Sequence, residues 1–141
     1  MAENGSAERK DMGGAMDSEN GRQNRLKGYK GEDMVCIHMA KNGWSILDRN
    51  YRCPMGELDI VAARDGVLAF VEVKTRSRTD YGLPCQSVDR TKRRKLRLCA
   101  AYYLKCHSRL YGLQPRMDIA ELLERPSGIY LRYLENAFGE E

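Results

Sequence analysis

Twelve residues separate Asp59 from Glu72, and Lys74 follows two positions later in the stretch AFVEVKTRS at residues 69–77. That stretch begins as a strand should, with Ala69, Phe70 and Val71, and then places charges where apolar residues would be expected. Side chains alternate across a strand, so Glu72 and Lys74 share one face and Val73 takes the other. On an exposed face the two form an ordinary solvated pair. On a half-buried face both charges need compensation, and a metal ion or an anionic ligand becomes the natural partner. Asp65-Gly66 is a hairpin signal. Asp59 lies six residues before Asp65 and Glu72 six after Gly66, which makes the two acids near cross-strand partners. Carboxylates that face each other repel unless a cation sits between them.

The elements that must position these groups are legible in order. Residues 28–42, GYKGEDMVCIHMAKN, repeat apolar positions at helical spacing (Val35, Cys36, Met39) and are closed by Gly43. Glu32 shares that apolar face, where it either points inward or serves the positive end of the helix dipole. Strands are expected over 44–50, 57–63 and 67–76, with a Cys53-Pro54-Met55-Gly56 turn between the first two. On the second of these, Leu58, Ile60 and Ala62 take one side, and Glu57, Asp59 and Val61 the other. The loop SRTDYGLP leads to a long helix over 86–108, and strands over 117–123 and 129–134 close the chain around the turn Arg125-Pro126-Ser127-Gly128. The order α-β-β-β-α-β-β specifies an α/β domain with a mixed sheet flanked by helices.

The long helix carries six basic residues in the eight from Arg90 to Arg97. Arg90, Arg93, Arg94 and Arg97 follow i, i+3, i+4, i+7 spacing and form one stripe beside an apolar stripe of Leu96, Ala100 and Tyr103. No acids are interleaved to neutralise them, which leaves a positive field suited to phosphates. Residues 1–27 have the composition of a disordered tail, with little aliphatic periodicity to offset the entropy of ordering. Their five basic and five acidic residues cancel, so the formal charge of +4 belongs to the domain over 28–141. The five cysteines (Cys36, Cys53, Cys85, Cys99, Cys106) are odd in number and include no Cys-x-x-Cys pair, which argues against both a disulfide framework and a zinc site. No segment approaches the roughly 20 apolar residues of a membrane helix, and the N-terminus lacks a signal-peptide core. A cytoplasmic protein that does not enter the membrane is expected.

Asp59, then Glu72-Val73-Lys74, resembles the PD-(D/E)xK signature of restriction-endonuclease-like nucleases. More narrowly, GYKGEDMV, GWSILDRNYR, GELDIVAARDG, FVEVKTRS, YGLP, the helix ending AAYYL and the final LENAF are similar in order and spacing to the YraN family of small bacterial proteins, from about residue 28 to 138. Leu58 stands where the superfamily signature has its proline, a departure that YraN-like sequences share; that proline is not a metal ligand. The resemblance implies a restriction-endonuclease-like core and metal-dependent hydrolysis of phosphodiester bonds. It places Mg²⁺, or Mn²⁺, on Asp59 and Glu72 with the Val73 carbonyl as a further ligand. Lys74 would act on the attacking water, and Glu32 would contact Lys74 or the water of a second metal. Arg76, Arg78, Arg90, Lys92, Arg93, Arg94, Lys95 and Arg97 would hold a nucleic-acid backbone, DNA before RNA, by shape rather than sequence. A homodimer would help cut two strands. The alternative is a binding module that keeps the fold with weak or no catalysis, and an adaptor that binds other proteins is the third reading.

Overall fold

The computed structural model of the chain describes residues 8–11, 29–76 and 89–138. Strand β1 spans Glu8–Asp11, helix α1 Tyr29–Lys41, then β2 Ser45–Cys53, β3 Gly56–Arg64 and β4 Val67–Arg76. Helix α2 spans Arg90–Cys106, a 3₁₀ turn Ser108–Leu110, and β5 Gln114–Arg125 and β6 Gly128–Leu134 complete the chain. A five-stranded mixed sheet with two helices results, in the α-β-β-β-α-β-β order that the sequence specifies. The sheet order is β1-β6-β5-β4-β3-β2. The short β1, inside the segment expected to be a tail, adds a sixth strand by pairing antiparallel with β6. A bare sheet edge offers unpaired N–H and C=O groups to any extended backbone nearby, regardless of its side chains. The rest of the expected tail, residues 1–7 and 12–28, lies outside the described residues.

Central position explains the apolar half of β4. It pairs antiparallel with β3 and parallel with β5, so Leu68, Ala69, Phe70 and Val71 are buried on both faces of the sheet. One face carries Ile60, Ala62, Ala69, Val71, Ala120, Leu122 and Leu131 beneath α1, which contributes Met34, Val35 and Met39. The other face carries Val61, Leu68, Phe70 and Ile119 beneath α2, which contributes Leu96, Cys99, Ala100 and Tyr103.

The turns that set the register are glycine-dependent at two points. Asp65 and Gly66 both have positive φ (49° and 82°), the conformation of a two-residue turn that matches strand twist. Gly56 has φ 151°, and a Cβ there would meet the Cys99 sulfur at 3.2 Å, so the β2–β3 turn and α2 pack closely only with glycine. Helix α2 starts where Asp89 accepts the Lys92 N–H at 2.8 Å, an N-cap. Among the described residues no helix is long and apolar enough to cross a membrane.

Candidate functional site

The β3–β4 ladder runs from Arg64 opposite Val67 to Ile60 opposite Val71, and then stops. Continued by one residue it would set Asp59 against Glu72. At this point the Asp59 carboxylate accepts the Val73 N–H at 2.8 Å, a bond the ladder would otherwise make to a main-chain carbonyl of β3. The strand's alternation breaks at the same place. Leu58 packs in the α2 cluster with Val61, whereas Ile60 and Ala62 face α1, so the expected grouping of Leu58 with Ile60 and Ala62 is corrected. Strict alternation holds only while the ladder does, and here β3 peels away from β4.

Glu72 is buried, at 6% exposure, on the α2 side of β4. Two ammonium groups meet its Oε2: Lys74 Nζ at 3.6 Å from the same strand, and Lys92 Nζ at 3.1 Å from the first turn of α2. The Asp59 carboxyl is pushed up to about 7, first by burial and then by the charge of Glu72; the Val73 N–H and Lys92 pull the other way without restoring it. Burial works against the Lys92 ammonium, yet Glu72 and Asp59 hold its pKa above the ordinary value. The two acids are therefore near enough to feel each other and are only partly compensated.

Glu32, in the first turn of α1, is also drawn inward, with 13% of its side chain exposed. Its ion-pair partner is Arg49 at 3.9 Å, where Lys74 or the water of a second metal is expected; Arg49 itself is held at 2.7 Å by Asp33. Buried Oε1 of Glu32 has no hydrogen-bond partner among the described residues. Burial raises its pKa, and its charge in turn adds to the upward pressure on Asp59. Glu32 thus faces the same acidic region from the α1 side of the sheet.

Among the described residues no three His, Cys, Asp or Glu side chains are grouped closely enough to hold a metal ion unaided. Asp59 and Glu72 offer two carboxylates, and Glu32 adds a third acid whose charge is felt at Asp59 and whose Oε1 has an ion pair but no hydrogen bond among the described residues. A hard cation that takes one or two carboxylates and completes its shell with water and substrate phosphate suits that donor set.

The basic face of α2 is divided by the structure. Arg90, Arg94 and Lys95 are exposed, whereas Arg93 and Arg97 are half-buried. Arg97 lies over the Phe138 ring at 5.7 Å and lines a cavity of about 540 Å³ with Leu104, Arg116 and Met117. Of the expected arginine stripe, Arg90 and Arg94 are exposed and Arg93 and Arg97 only in part. Arg76, expected on the backbone-binding surface, is turned inward to an ion pair with Glu121 and is 11% exposed. Glu121 is fully buried and takes Arg132 as well, at 2.7 Å, so its burial demands these cations. Arg78 and the loop SRTDYGLP lie outside the described residues. Sequence reasoning placed Lys92 among the phosphate ligands and missed its contact with Glu72. No local signal could have shown it, since the contact joins the start of α2 to β4, 20 residues earlier in the chain.

Residues 31–122 match the family described as "Uncharacterised protein family UPF0102". The span includes Glu32, Asp59, Glu72, Lys74 and Lys92. A UPF0102 protein of Moorella thermoacetica is 44% identical over 109 residues, covering 74% of this chain and 90% of its own length. One of Clostridium acetobutylicum is 40% identical, covering 83% and 97% respectively. A third, of Dictyoglomus thermophilum, is 39% identical, covering 82% and 98%.

Proposed function

The chain belongs to the UPF0102 family, the YraN-like proteins, and from that membership we propose a metal-dependent, nuclease-like hydrolase of the PD-(D/E)xK superfamily, acting on phosphodiester bonds in DNA. The observation that carries this reading is the break in the β3–β4 ladder, where Asp59 abandons strand pairing, binds the Val73 N–H and lies beside the buried Glu72 and two lysines. Under-compensated acids at a strand break are hard to account for as packing and easy to account for as a site.

Asp59 and Glu72 would hold Mg²⁺, or Mn²⁺, with the Val73 carbonyl as a further oxygen ligand. Bound there, the ion supplies Lewis acidity toward the scissile phosphate and makes water a better nucleophile at neutral pH. Lys74 orients the attacking water, and its ammonium stabilises negative charge that accumulates on the non-bridging phosphate oxygens. Burial of Glu72 strengthens each of these interactions by excluding bulk water. Arg90, Arg94 and Lys95 contact the sugar-phosphate backbone, which fixes position without reading bases, so selectivity is for nucleic-acid shape. Cutting both strands of a duplex would engage two copies.

Cleavage of flapped, branched and linear DNA in Mg²⁺ or Mn²⁺, measured beside Lys74→Ala, tests the reading. Wild-type protein should cut at least one substrate, and the variant should lose on the order of a thousandfold in rate while binding DNA with similar salt dependence. Salt-sensitive binding without cleavage of any substrate would replace the enzyme with a binding module on the same fold. Failure to bind nucleic acid at all would leave an adaptor protein in its place.

A further inference from the structure

Glu72 holds two ammonium groups on one carboxylate oxygen. Its Oε2 meets Lys92 at 3.1 Å and Lys74 at 3.6 Å, so the inter-element contact is the shorter of the two. The two lysines are tethered differently. Lys74 is two residues from Glu72 on the same face of β4 and cannot leave its vicinity. Lys92 reaches across from α2 with 46% of its side chain exposed, so letting go requires only a rotamer change toward solvent. Its backbone is fixed independently, because Asp89 accepts its N–H at 2.8 Å. Movement of the ammonium therefore leaves the helix start intact.

We propose that Lys92 is a displaceable cation: it sits on Glu72 while no divalent ion is bound, and binding of the ion releases its ammonium to a backbone phosphate of the nucleic acid. The inference rests on the metal-dependent reading given above. Both ammonium groups stand on Glu72, so a divalent ion added beside them would set four positive charges against the two negative charges of Asp59 and Glu72. The ammonium on the longer tether leaves. Once released it joins Arg90, Arg94 and Lys95, exposed on the same turns of α2, in a surface suited to phosphate. Ion binding and substrate binding are thereby coupled through one side chain.

Mn²⁺ binding to the full chain, measured by calorimetry without nucleic acid, tests this independently of catalysis. Lys92→Met should bind Mn²⁺ roughly three- to tenfold more tightly than wild type, the range expected when an exposed ion pair no longer competes. Lys92→Arg should stay close to wild type. Lys95→Met removes the same charge from the same helix without a contact to Glu72, and should change affinity by less than about twofold. Wild-type affinity in Lys92→Met, or equal tightening in Lys95→Met, would overturn the proposal and leave the metal site standing. If neither wild type nor Lys92→Met binds Mn²⁺, the metal site itself is wrong and the proposal falls with it. Should Lys92→Met fold poorly, the Lys92 Nζ resonance of wild type decides during a Mg²⁺ titration. It should move to the position of a free lysine with the midpoint of ion binding, and an unmoved resonance at saturation would overturn the displacement.

Discussion

Asp118 on β5 and Asp59 on β3 are aspartates drawn out of water by the same sheet, yet their charges are met in opposite ways. Asp118 is fully buried and receives both Arg116 nitrogens at 3.0 Å, the Tyr133 hydroxyl at 2.6 Å and the Asn136 N–H at 2.8 Å. Every lone pair that burial takes from water is returned by a donor, and the acid joins β5 to β6 and to the segment after it. Asp59 receives one main-chain N–H, has another carboxylate as neighbour, and is pushed up to about 7. Complete compensation marks a structural acid. Partial compensation, at a place where the ladder has been given up, is the feature on which the proposed ion site rests.

Substitutions should separate the two regions, and the largest effect belongs to the satisfied one. Asp118→Ala leaves the buried Tyr133 hydroxyl and the half-buried Arg116 without their carboxylate and should cost about 3–5 kcal/mol in urea unfolding. Cleavage per folded molecule should change little. Glu72→Gln should do the reverse, lowering cleavage by two to three orders of magnitude, about 3–4 kcal/mol of barrier, while unfolding free energy stays within about 1 kcal/mol of wild type.

Asp59→Asn sharpens the contrast through pH. A folded-state pKa near 7 against an ordinary 3.8 means that the folded protein holds this proton more tightly than the unfolded chain. Asp59's contribution to stability should therefore be greatest below the unfolded value and fall as pH rises toward about 7, by up to about 1.4 kcal/mol per pH unit, with no further loss above it. Asp59→Asn lacks that slope, so above pH 7 in chelator it should be the more stable protein by up to about 4 kcal/mol. Mg²⁺ should flatten the wild-type slope by favouring the ionised carboxylate. Equal pH profiles for the two proteins would remove the electrostatic contrast. The smallest effect is on the exposed helix face: Arg90→Ala should weaken DNA binding by a few tenths of a kcal/mol to about 1 kcal/mol and lower the salt slope by about 1, uniformly across sequences.

What could be read from the sequence was what local rules control. Asp65-Gly66 specified its hairpin because both residues tolerate positive φ, and the uninterrupted apolar run of β4 marked a strand buried on both faces. Helix and strand order followed from periodicity. Bounds drifted by a few residues where turns and tertiary pairing decide them, as in β5, which begins at Gln114 instead of Met117. The site was legible as a pattern of residue types and as a hairpin register. Its decisive feature was not, because the end of a ladder depends on how two strands diverge, and alternation carried past that point misassigns Leu58. Partners distant in sequence were equally hidden. Nothing local to Arg76 announces Glu121, 45 residues further on, and nothing local to Lys92 announces Glu72. Glu32's place among α1's apolar residues left open whether it points inward or serves the helix dipole, and both its burial and its pairing with Arg49 needed the fold.

A crystal of the full chain soaked in Mn²⁺, examined by anomalous scattering, reaches the central claim most directly. One peak should stand within coordination distance of both the Asp59 and Glu72 carboxylates, with Lys92 swung away from Glu72. A map with no peak there, and Lys92 still paired to Glu72, would contradict a divalent-ion site at the break between β3 and β4.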